Sequence, residues 1–391
     1  MWYNYNKGGD NVTHIEKNGD KFKAIVEVGT TGNRKRRTKT FDRKRDAQSW
    51  MSSMINDQDK GKYVVPSNVT LGQFLDRWLE DHKKPKIAAT TYDRYYYKIN
   101  GHLKPDLGYI PLQQLEPYHL ESYFANKRIS GRHDGKGGGL SENTLKKHYV
   151  ILNSAIKKAI KLKLIKYNPV KAVETPKPEK KETEIMSQQD YEKILDILKD
   201  DLLMFTFVFM DLMTGLRRSE LLGLEWEDVD FNKKIIKVKK RLVKITGGWK
   251  HEKKTKNDSS RRKVKLSNKL KKILKRYKKE QAKIRLQLDD EYYDKKEFIF
   301  CRPDGYPYHP DTYNKKLNDY IDKAELSQKY TIHTLRHTFA TMNVNNKISP
   351  EIVQKMLGHS TISTTIDIYY HHDTEMQKEA INKLDQAINI D

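Results

Sequence analysis

The chain has 391 residues, of which 76 are Lys or Arg and 52 are Asp or Glu, so its formal net charge is +24. That length predicts two or three domains, and the excess positive charge predicts a polyanionic partner bound in a salt-sensitive way. The single cysteine excludes an internal disulfide framework and a cysteine-rich zinc site. No apolar run is long enough to span a membrane, and the N-terminus has no apolar signal core, which favours a cytoplasmic protein.

Residues 1–64 are predicted to form a small domain of three strands and one helix. Alternating apolar and polar residues predict strands at 12–15, 22–28 and 35–41, and apolar residues at helical spacing predict a helix over 44–55. Basic residues crowd the last hairpin. A solvated basic face is one interpretation, and a strand face laid on duplex DNA is the one we favour. The candidate DNA contacts are Arg34, Lys35, Arg36, Arg37 and Lys39.

Residues 65–173 are predicted to form a second, almost wholly helical domain. Its last helix is predicted to begin at Ser141, after a glycine-rich loop at 131–139. This helix combines an apolar face with a basic face. Lys146 and Lys147 lie on the basic face and are further candidate DNA contacts.

A proline-containing, highly charged segment at 174–185 is predicted to be an extended interdomain linker. Residues 186–391 then predict a mixed α+β domain, so the chain is expected to be multidomain and mainly α-helical with small β-sheets. The polar segment 249–262 is predicted to be a hairpin tip. Helices are expected near 191–198, 202–213, 219–223, 270–286, 313–324, 333–344, 349–356 and 375–388, and strands at 235–238, 242–245 and 263–266.

Two segments of this last domain carry arginines suited to an anion. In Thr214-Gly215-Leu216-Arg217 the glycine permits a bend, and Arg217 would stand at the N-terminus of the next helix. His333, Arg336 and His337 are spaced so that they share one helix face. Two guanidinium groups that converge on a phosphate neutralise its oxygens with a bidentate geometry that lysine cannot reproduce. A solvated polar helix face is the simpler alternative.

Further candidates follow in sequence. His359 comes after a predicted helix C-cap, and Tyr369 lies ten residues beyond it. A tyrosine can be a covalent nucleophile where cationic neighbours favour its phenolate. A lysine on a mobile hairpin tip can donate a proton to a leaving oxygen, although most of the basic residues at 249–262 would simply contact phosphates. Taken alone, Tyr369 and its neighbour Tyr370 would be ordinary surface residues.

In their order, these motifs resemble those of the tyrosine recombinase, or phage integrase, family. The matching motifs are Thr-Gly-Leu-Arg-Arg-Ser-Glu at 214–220, Lys-Thr-Lys at 254–256, His-Thr-Leu-Arg-His at 333–337, Leu-Gly-His-Ser at 357–360 and Tyr369. The domain order resembles that of integrases from phages and integrative conjugative elements, or conjugative transposons, of Gram-positive bacteria. The resemblance implies an arm-DNA-binding domain at 1–64, a SAM-like core-DNA-binding domain at 65–173 and a catalytic domain at 186–391. It also implies a C-terminal helix at 374–389 that docks on a neighbouring subunit.

The resemblance implies DNA cleavage through a 3′-phosphotyrosyl link, with release of a 5′-hydroxyl. Because the covalent link retains the energy of the broken bond, neither ATP, a metal nor another cofactor is implied. The implied roles are nucleophile for Tyr369 (with Tyr370 as the alternative), phosphate clamp for Arg217 and Arg336, proton donor for Lys254 (with Lys256 as the alternative), hydrogen-bonding acid/base for His333, phosphate ligand for His359, and acidic companion of Arg217 for Glu220.

The implied function is integration and excision of a mobile element through a Holliday junction. The implied partners are double-stranded DNA at core and arm attachment sites, a homotetramer on that DNA, an excisionase and a host DNA-bending protein. A catalytically inactive DNA-binding regulator and a type IB topoisomerase are the alternatives. A metal-dependent nuclease would need clustered carboxylates, and none stands out beside the histidine–arginine segment.

Overall fold

The computed structural model describes residues 13–28, 35–59, 64, 67–132, 135, 137–179, 184–253, 262–293, 295–359 and 362. The chain divides into two compact units, Met1–Lys180 and Lys181–Asp391. The first unit spans the residues assigned to both predicted N-terminal domains, and the boundary between those domains stays a prediction. Within the described ranges, no helix has the length and apolar character needed to cross a membrane.

The first unit begins with a three-stranded antiparallel sheet packed on one helix. Its elements are β1 (His14–Asn18), β2 (Lys21–Val28), β3 (Lys35–Phe41) and α1 (Lys44–Asp59), and the strand order is β1–β2–β3. Val26 and Val28 of β2 pack against Met51 of α1 because alternation places both valines on the same face. The predicted sheet and helix are both present.

The rest of the first unit is helical, as the apolar spacing predicted. Its first helix, α2 (Leu71–Arg77), continues as π-helical turns over Trp78–Lys83. Helix α3 (Ala89–Lys98) continues through Ile99–Leu103 into α4 (Lys104–Leu107). The last two α-helices of this unit's described residues are α5 (Pro117–Ile129) and α6 (Glu142–Lys161). Trp78, Leu120 and Phe124 are buried in their common core. The Ser141 hydroxyl accepts a hydrogen bond from the Thr144 amide and caps α6 at the predicted position.

The second unit is a mixed α+β structure. Its helices are α7 (Gln188–Ile197), α8 (Leu202–Thr214), α9 (Arg218–Leu221), α10 (Asn268–Leu288), α11 (Thr312–Lys323), α12 (Ile332–Asn345) and α13 (Pro350–Leu357). Its strands are β4 (Val229–Asp230), β5 (Ile235–Val238), β6 (Lys240–Ile245), β7 (Gly248–Lys253) and β8 (Arg262–Lys265). They form a β4–β5–β8 sheet and a separate β6–β7 hairpin. The apolar helix α8 packs against both α10 and α12, so it lies at the centre of the core.

One prediction in this unit was wrong in part. Residues 249–253 were placed in the hairpin tip, but they belong to β7, which pairs with β6 so that His251 is opposite Leu242. The chain reverses earlier, where Gly247 adopts a left-handed φ of +84°. The rings of Trp249 and His251 of β7 contact Phe298 of the core. Two inward-facing side chains are too few for an alternating apolar pattern to predict a strand.

Candidate active site

Arg217 stands where α8 ends and α9 begins. Gly215 closes α8 with a left-handed φ of +57°, and a Cβ at this position would lie 2.3 Å from the Phe339 ring. The Nη1 group of Arg217 donates to Glu220 Oε1 at 2.9 Å, and its Nη2 group donates to the Gly358 carbonyl at 2.8 Å. Glu220 also accepts from the Arg217 amide, so one carboxylate caps α9 and orients the guanidinium.

Arg336, on α12, is buried, with 3% of its surface exposed. Its guanidinium donates to the carbonyl of Gly215 and, at 2.8 Å, to that of Leu357. These carbonyls lie at the C-terminal ends of α8 and α13, where helix backbones leave acceptors unpaired and carry partial negative charge. Burial, followed by the charge of Arg217, lowers the pKa of Arg336 to about 10. Arg336 thus joins two helix ends and brings a positive charge into the core.

Arg262 is a third guanidinium at the site, and it was not among the predicted residues. Its Nε group donates to the Met356 carbonyl at 2.6 Å, and its Nη2 group donates to Glu220 Oε2 at 3.0 Å. Glu220 therefore lies between Arg217 and Arg262. One sequence signal could have identified Arg262: it is two residues before the buried Val264 on β8, so both face inward.

Three histidines surround these arginines. The rings of His333 and His337 meet edge to face with centroids 4.6 Å apart, and His359 directly follows the left-handed Gly358. Burial lowers the pKa of His333, and Arg336 and Arg217 lower it further. Burial, followed by the charges of Arg336 and Arg217, lowers the pKa of His359 to about 4. Burial and His333 lower the pKa of His337 to about 4. The histidines are therefore neutral near pH 7 until an anion offsets the arginine charges.

Comparison with known proteins identifies the family. Residues 184–376 match the model of the phage integrase family, and residues 70–128 match the N-terminal SAM-like domain of phage integrases. The chain belongs to the phage integrase family. It is a tyrosine recombinase, an enzyme that cuts and rejoins DNA in the site-specific recombination of a mobile element.

Individual relatives are similar over most of the chain. The integrase of Staphylococcus phage L54a is 27% identical over 346 residues, which are 82% of this chain and 94% of the relative. The Tn1549 transposon integrase, solved with circular intermediate DNA, has the same fold, with a TM-score of 0.66, 21% identity and coverage of 79% of this chain and 99% of that one. A λ integrase solved as a tetramer bound to a Holliday junction has a TM-score of 0.55 at 19% identity, over 88% of this chain and 91% of that one.

A buried carboxyl group lies close to Arg336. Asp211 of α8 is fully buried, and neither of its side-chain oxygens has a hydrogen-bond partner among the residues that the structure describes. Burial raises the pKa of Asp211 well above its usual range, and the nearby Arg336 charge opposes that rise. Ionising a buried acid that has no hydrogen-bond partner among the described residues is costly, so the fold favours the protonated form of Asp211. Asp211 was not among the predicted site residues.

The predicted arm contacts do not all share one face. Strand pairing places Arg37 opposite Val26 and Lys39 opposite Ala24, whereas Arg36 is opposite Glu27. Residues directly opposite lie on the same side of the sheet, so Arg37 and Lys39 are on the side of α1 and Arg36 is on the other. Arg36 also forms a 3.0 Å ion pair with Glu27. Of the other two candidates, Arg34 and the side chain of Lys35 lie outside the described residues.

The basic face of α6 borders a groove in the first unit. Lys146 and Lys147 are exposed on α6, and the same helix contributes Lys157, Lys158 and Lys161 to a groove of about 810 Å³. The groove is also lined by Trp78, Lys83, Lys86 and Lys171. Lys83, Lys86 and Lys171 were not predicted as contacts, because their place beside α6 arises only when the chain folds.

Several predicted residues lie outside the part of the chain that the structure describes. They are Lys254, Lys256, Tyr369, Tyr370 and the helix at 374–389. Among the described residues, no group of three His, Cys, Asp or Glu side chains is arranged to hold a metal ion.

Proposed function

We propose that this integrase cleaves DNA by attack of Tyr369 on a phosphate held by Arg217 and Arg336, and so integrates and excises a mobile element. The main support is that three arginines meet at one place. Arg217 and Arg262 bind Glu220, and Arg336 binds the carbonyls at the ends of α8 and α13. Three guanidinium groups near one carboxylate, two of them buried, favour an incoming anion. The tyrosine segment follows ten residues after His359, which adjoins this cluster.

Arg217 and Arg336 form the phosphate clamp. Each has two of its N–H groups bound to a carbonyl or carboxylate of the protein, which fixes the plane of the guanidinium. A guanidinium has more N–H donors than these contacts use, and the remaining donors suit the non-bridging oxygens of a phosphate. Because the protein holds both groups in advance, little reorganisation is needed as charge develops on the phosphate.

The histidines and a hairpin lysine move the protons. His333, with its lowered pKa, is a neutral imidazole that accepts the Tyr369 proton, and the arginine charges favour the resulting phenolate. His359 hydrogen-bonds a phosphate oxygen. Lys254, the first residue after β7, donates a proton to the leaving 5′-oxygen, and Lys256 is the alternative donor. The products are a 3′-phosphotyrosyl link and a free 5′-hydroxyl, with no metal or ATP consumed.

The proposed reaction requires two DNA sites and several subunits. A 5′-hydroxyl from the partner duplex attacks the phosphotyrosyl link, and two rounds pass through a Holliday junction. The λ integrase of the same fold was solved as a tetramer on such a junction, which supports a homotetramer here. The groove of α6 and the basic strand β3 are the proposed surfaces for core and arm DNA. An excisionase and a host DNA-bending protein are the proposed accessory partners, in the cytoplasm where the DNA resides.

Trapping of the covalent intermediate tests this proposal. The purified protein is incubated in EDTA with a nicked duplex that spans the attachment site, and adducts are resolved on denaturing gels. The unmodified chain and Tyr370→Phe are expected to form the adduct, and Tyr369→Phe is not. Loss only in Tyr370→Phe would move the nucleophile by one residue. DNA binding without an adduct in any form would favour the inactive DNA-binding regulator.

A further inference from the structure

The β6–β7 hairpin rests on the end of α9, the helix that begins at Arg217. Gly223 follows α9, and a Cβ there would lie 2.6 Å from the Arg241 Cα atom of β6. Only glycine allows the two backbones to approach this closely. Arg241 in turn donates to Glu252 of β7 at 2.8 Å, so the two strands of the hairpin are also joined by their side chains. The hairpin therefore takes its position from the helix that carries Glu220.

His251 is a buried polar link between β7 and α9. Its side chain is 3% exposed, its Nε2 atom lies 3.0 Å from the Gly223 carbonyl, and its Nδ1 atom lies 2.8 Å from Lys296 Nζ. A carbonyl only accepts and an ammonium group only donates, so the ring is neutral and carries its proton on Nε2. Phe298 packs against the ring at a centroid distance of 5.0 Å. Both nitrogens are thus satisfied in a single tautomer.

The charged groups around His251 are consistent with that neutral form. Burial lowers the pKa of His251, and Lys296 and Lys240 lower it further, whereas the Gly223 carbonyl and Glu225 oppose the change. Glu225 lies 3.4 Å from Nδ1, but it also forms an ion pair with Lys240. The ring can therefore bridge Gly223 and Lys296 at neutral pH without an added charge.

His251 lies close to the proposed proton donor along the chain. β7 ends at Lys253, and Lys254 is the next residue. Three residues of chain span at most about 10 Å, so a fixed ring at 251 limits how far Lys254 can lie from it. Proton transfer needs donor and leaving oxygen at hydrogen-bond distance, and small displacements reduce its rate.

We propose that His251 is a positioning residue for the leaving-group acid. Its Nε2-protonated ring holds the β6–β7 hairpin on Gly223 and so sets where the lysine after β7 donates its proton. This inference rests on the proposed function, because it takes a hairpin lysine as the donor to the 5′-oxygen. In that step, the tyrosine oxygen bonds to phosphorus, the bond from phosphorus to the 5′-oxygen breaks, and the lysine proton passes to the departing oxygen.

A change of leaving atom tests the inference. In a duplex whose 5′-bridging oxygen is replaced by sulfur, the leaving thiolate needs no proton, so misplacement of the acid no longer slows cleavage. His251→Leu is expected to cleave the normal duplex about tenfold more slowly than the unmodified chain in single-turnover assays. It is expected to cleave the sulfur duplex at the unmodified rate and to bind DNA equally well. His251→Gln, whose amide can both donate and accept, is expected to restore cleavage of the normal duplex.

A matched variant separates positioning from stability. Leu242 is buried directly opposite His251, so Leu242→Ala weakens the same hairpin without removing the polar link. We expect Leu242→Ala to lower Tm while preserving the cleavage rates of both duplexes. If His251→Leu does not fold, Lys296→Met, which removes only the Nδ1 partner, is measured instead, and about threefold slower cleavage with the same rescue by sulfur is expected.

The results also distinguish failure of the inference from failure of the proposed function. Equal slowing on both duplexes, or no slowing on either, in His251→Leu would overturn the positioning role. Lys254→Ala and Lys256→Ala are run beside it. If sulfur rescues one lysine variant but not His251→Leu, only the inference fails. If sulfur rescues neither lysine variant, the hairpin lysine is not the acid and the inference fails with it.

Discussion

The two units hold their positive charge in opposite ways. In the second unit, Arg336 is 3% exposed and the Arg262 side chain 7% exposed, and each is bonded to backbone carbonyls at helix ends. In the first unit, Lys146 and Lys147 are exposed, and the Arg36 side chain is 67% exposed. Exposed charges are screened by salt and are nearly interchangeable, whereas buried charges depend on the identity and geometry of each group. The difference separates a surface that attracts DNA from a site that acts on one phosphate.

The largest expected effect is that of Arg336→Lys. Lysine has no planar fork, so it cannot bond the Gly215 and Leu357 carbonyls and a phosphate together. We expect covalent adduct formation to slow by about 10²- to 10³-fold. Single-turnover assays at saturating protein, resolved on denaturing gels, measure the rate of adduct formation. The matched exchange Arg36→Lys keeps the charge at an exposed arginine of the first unit, so it is expected to leave the rate of adduct formation at saturating protein unchanged. Cleavage by Arg336→Lys within tenfold of the unmodified rate would contradict the contrast between buried and exposed arginines.

A smaller, pH-dependent effect is expected at the buried Asp211. Its pKa is raised in the folded chain, so the unfolded chain loses this proton first as pH rises. The stability linked to that proton is present below the usual pKa of an aspartate and is lost as pH increases. Asp211→Leu removes the unpaired acid, and we expect it to raise the free energy of unfolding by about 1–3 kcal/mol near pH 8, and by less near pH 5.

Urea unfolding at the two pH values measures the Asp211 effect. Asp319→Leu, the same exchange at an exposed position of α11, is the control for the change of residue itself. Destabilisation by Asp211→Leu at both pH values would show that the carboxyl has a stabilising partner in the folded state.

The smallest effects are expected on the basic face of α6. Lys146→Gln and Lys147→Gln each remove one exposed charge, so each should reduce the slope of log affinity against log salt by about 0.9 if the lysine contacts a phosphate. Fluorescence anisotropy over a salt series measures the slope. Cleavage at saturating protein should not change, and Lys146→Arg should keep the full slope. A large loss of cleavage in either glutamine variant would give this exposed face a role beyond attraction.

Local sequence was sufficient for much of the fold and for part of the site. Caps such as Ser141, and the glycines that end α8 and α13, act within a few residues, so spacing and residue type predict them. The pairing of Arg217 with Glu220 is equally local, since the two are three residues apart on one turn. The strand β7 was missed in part because its inward-facing residues, Trp249 and His251, are separated from its end by charged residues and form too short an alternating pattern.

The sequence by itself determined the family, the order of the helices and strands, and which side chains have the chemistry to hold a phosphate. The tertiary structure alone decided that Arg336 bonds a carbonyl 121 residues away, that Arg262 shares Glu220 with Arg217, and that His251 ties a hairpin to α9. The physical reason is burial. Whether a charged or polar group is desolvated, and which acceptor then satisfies it, depends on segments that meet only when the chain has folded.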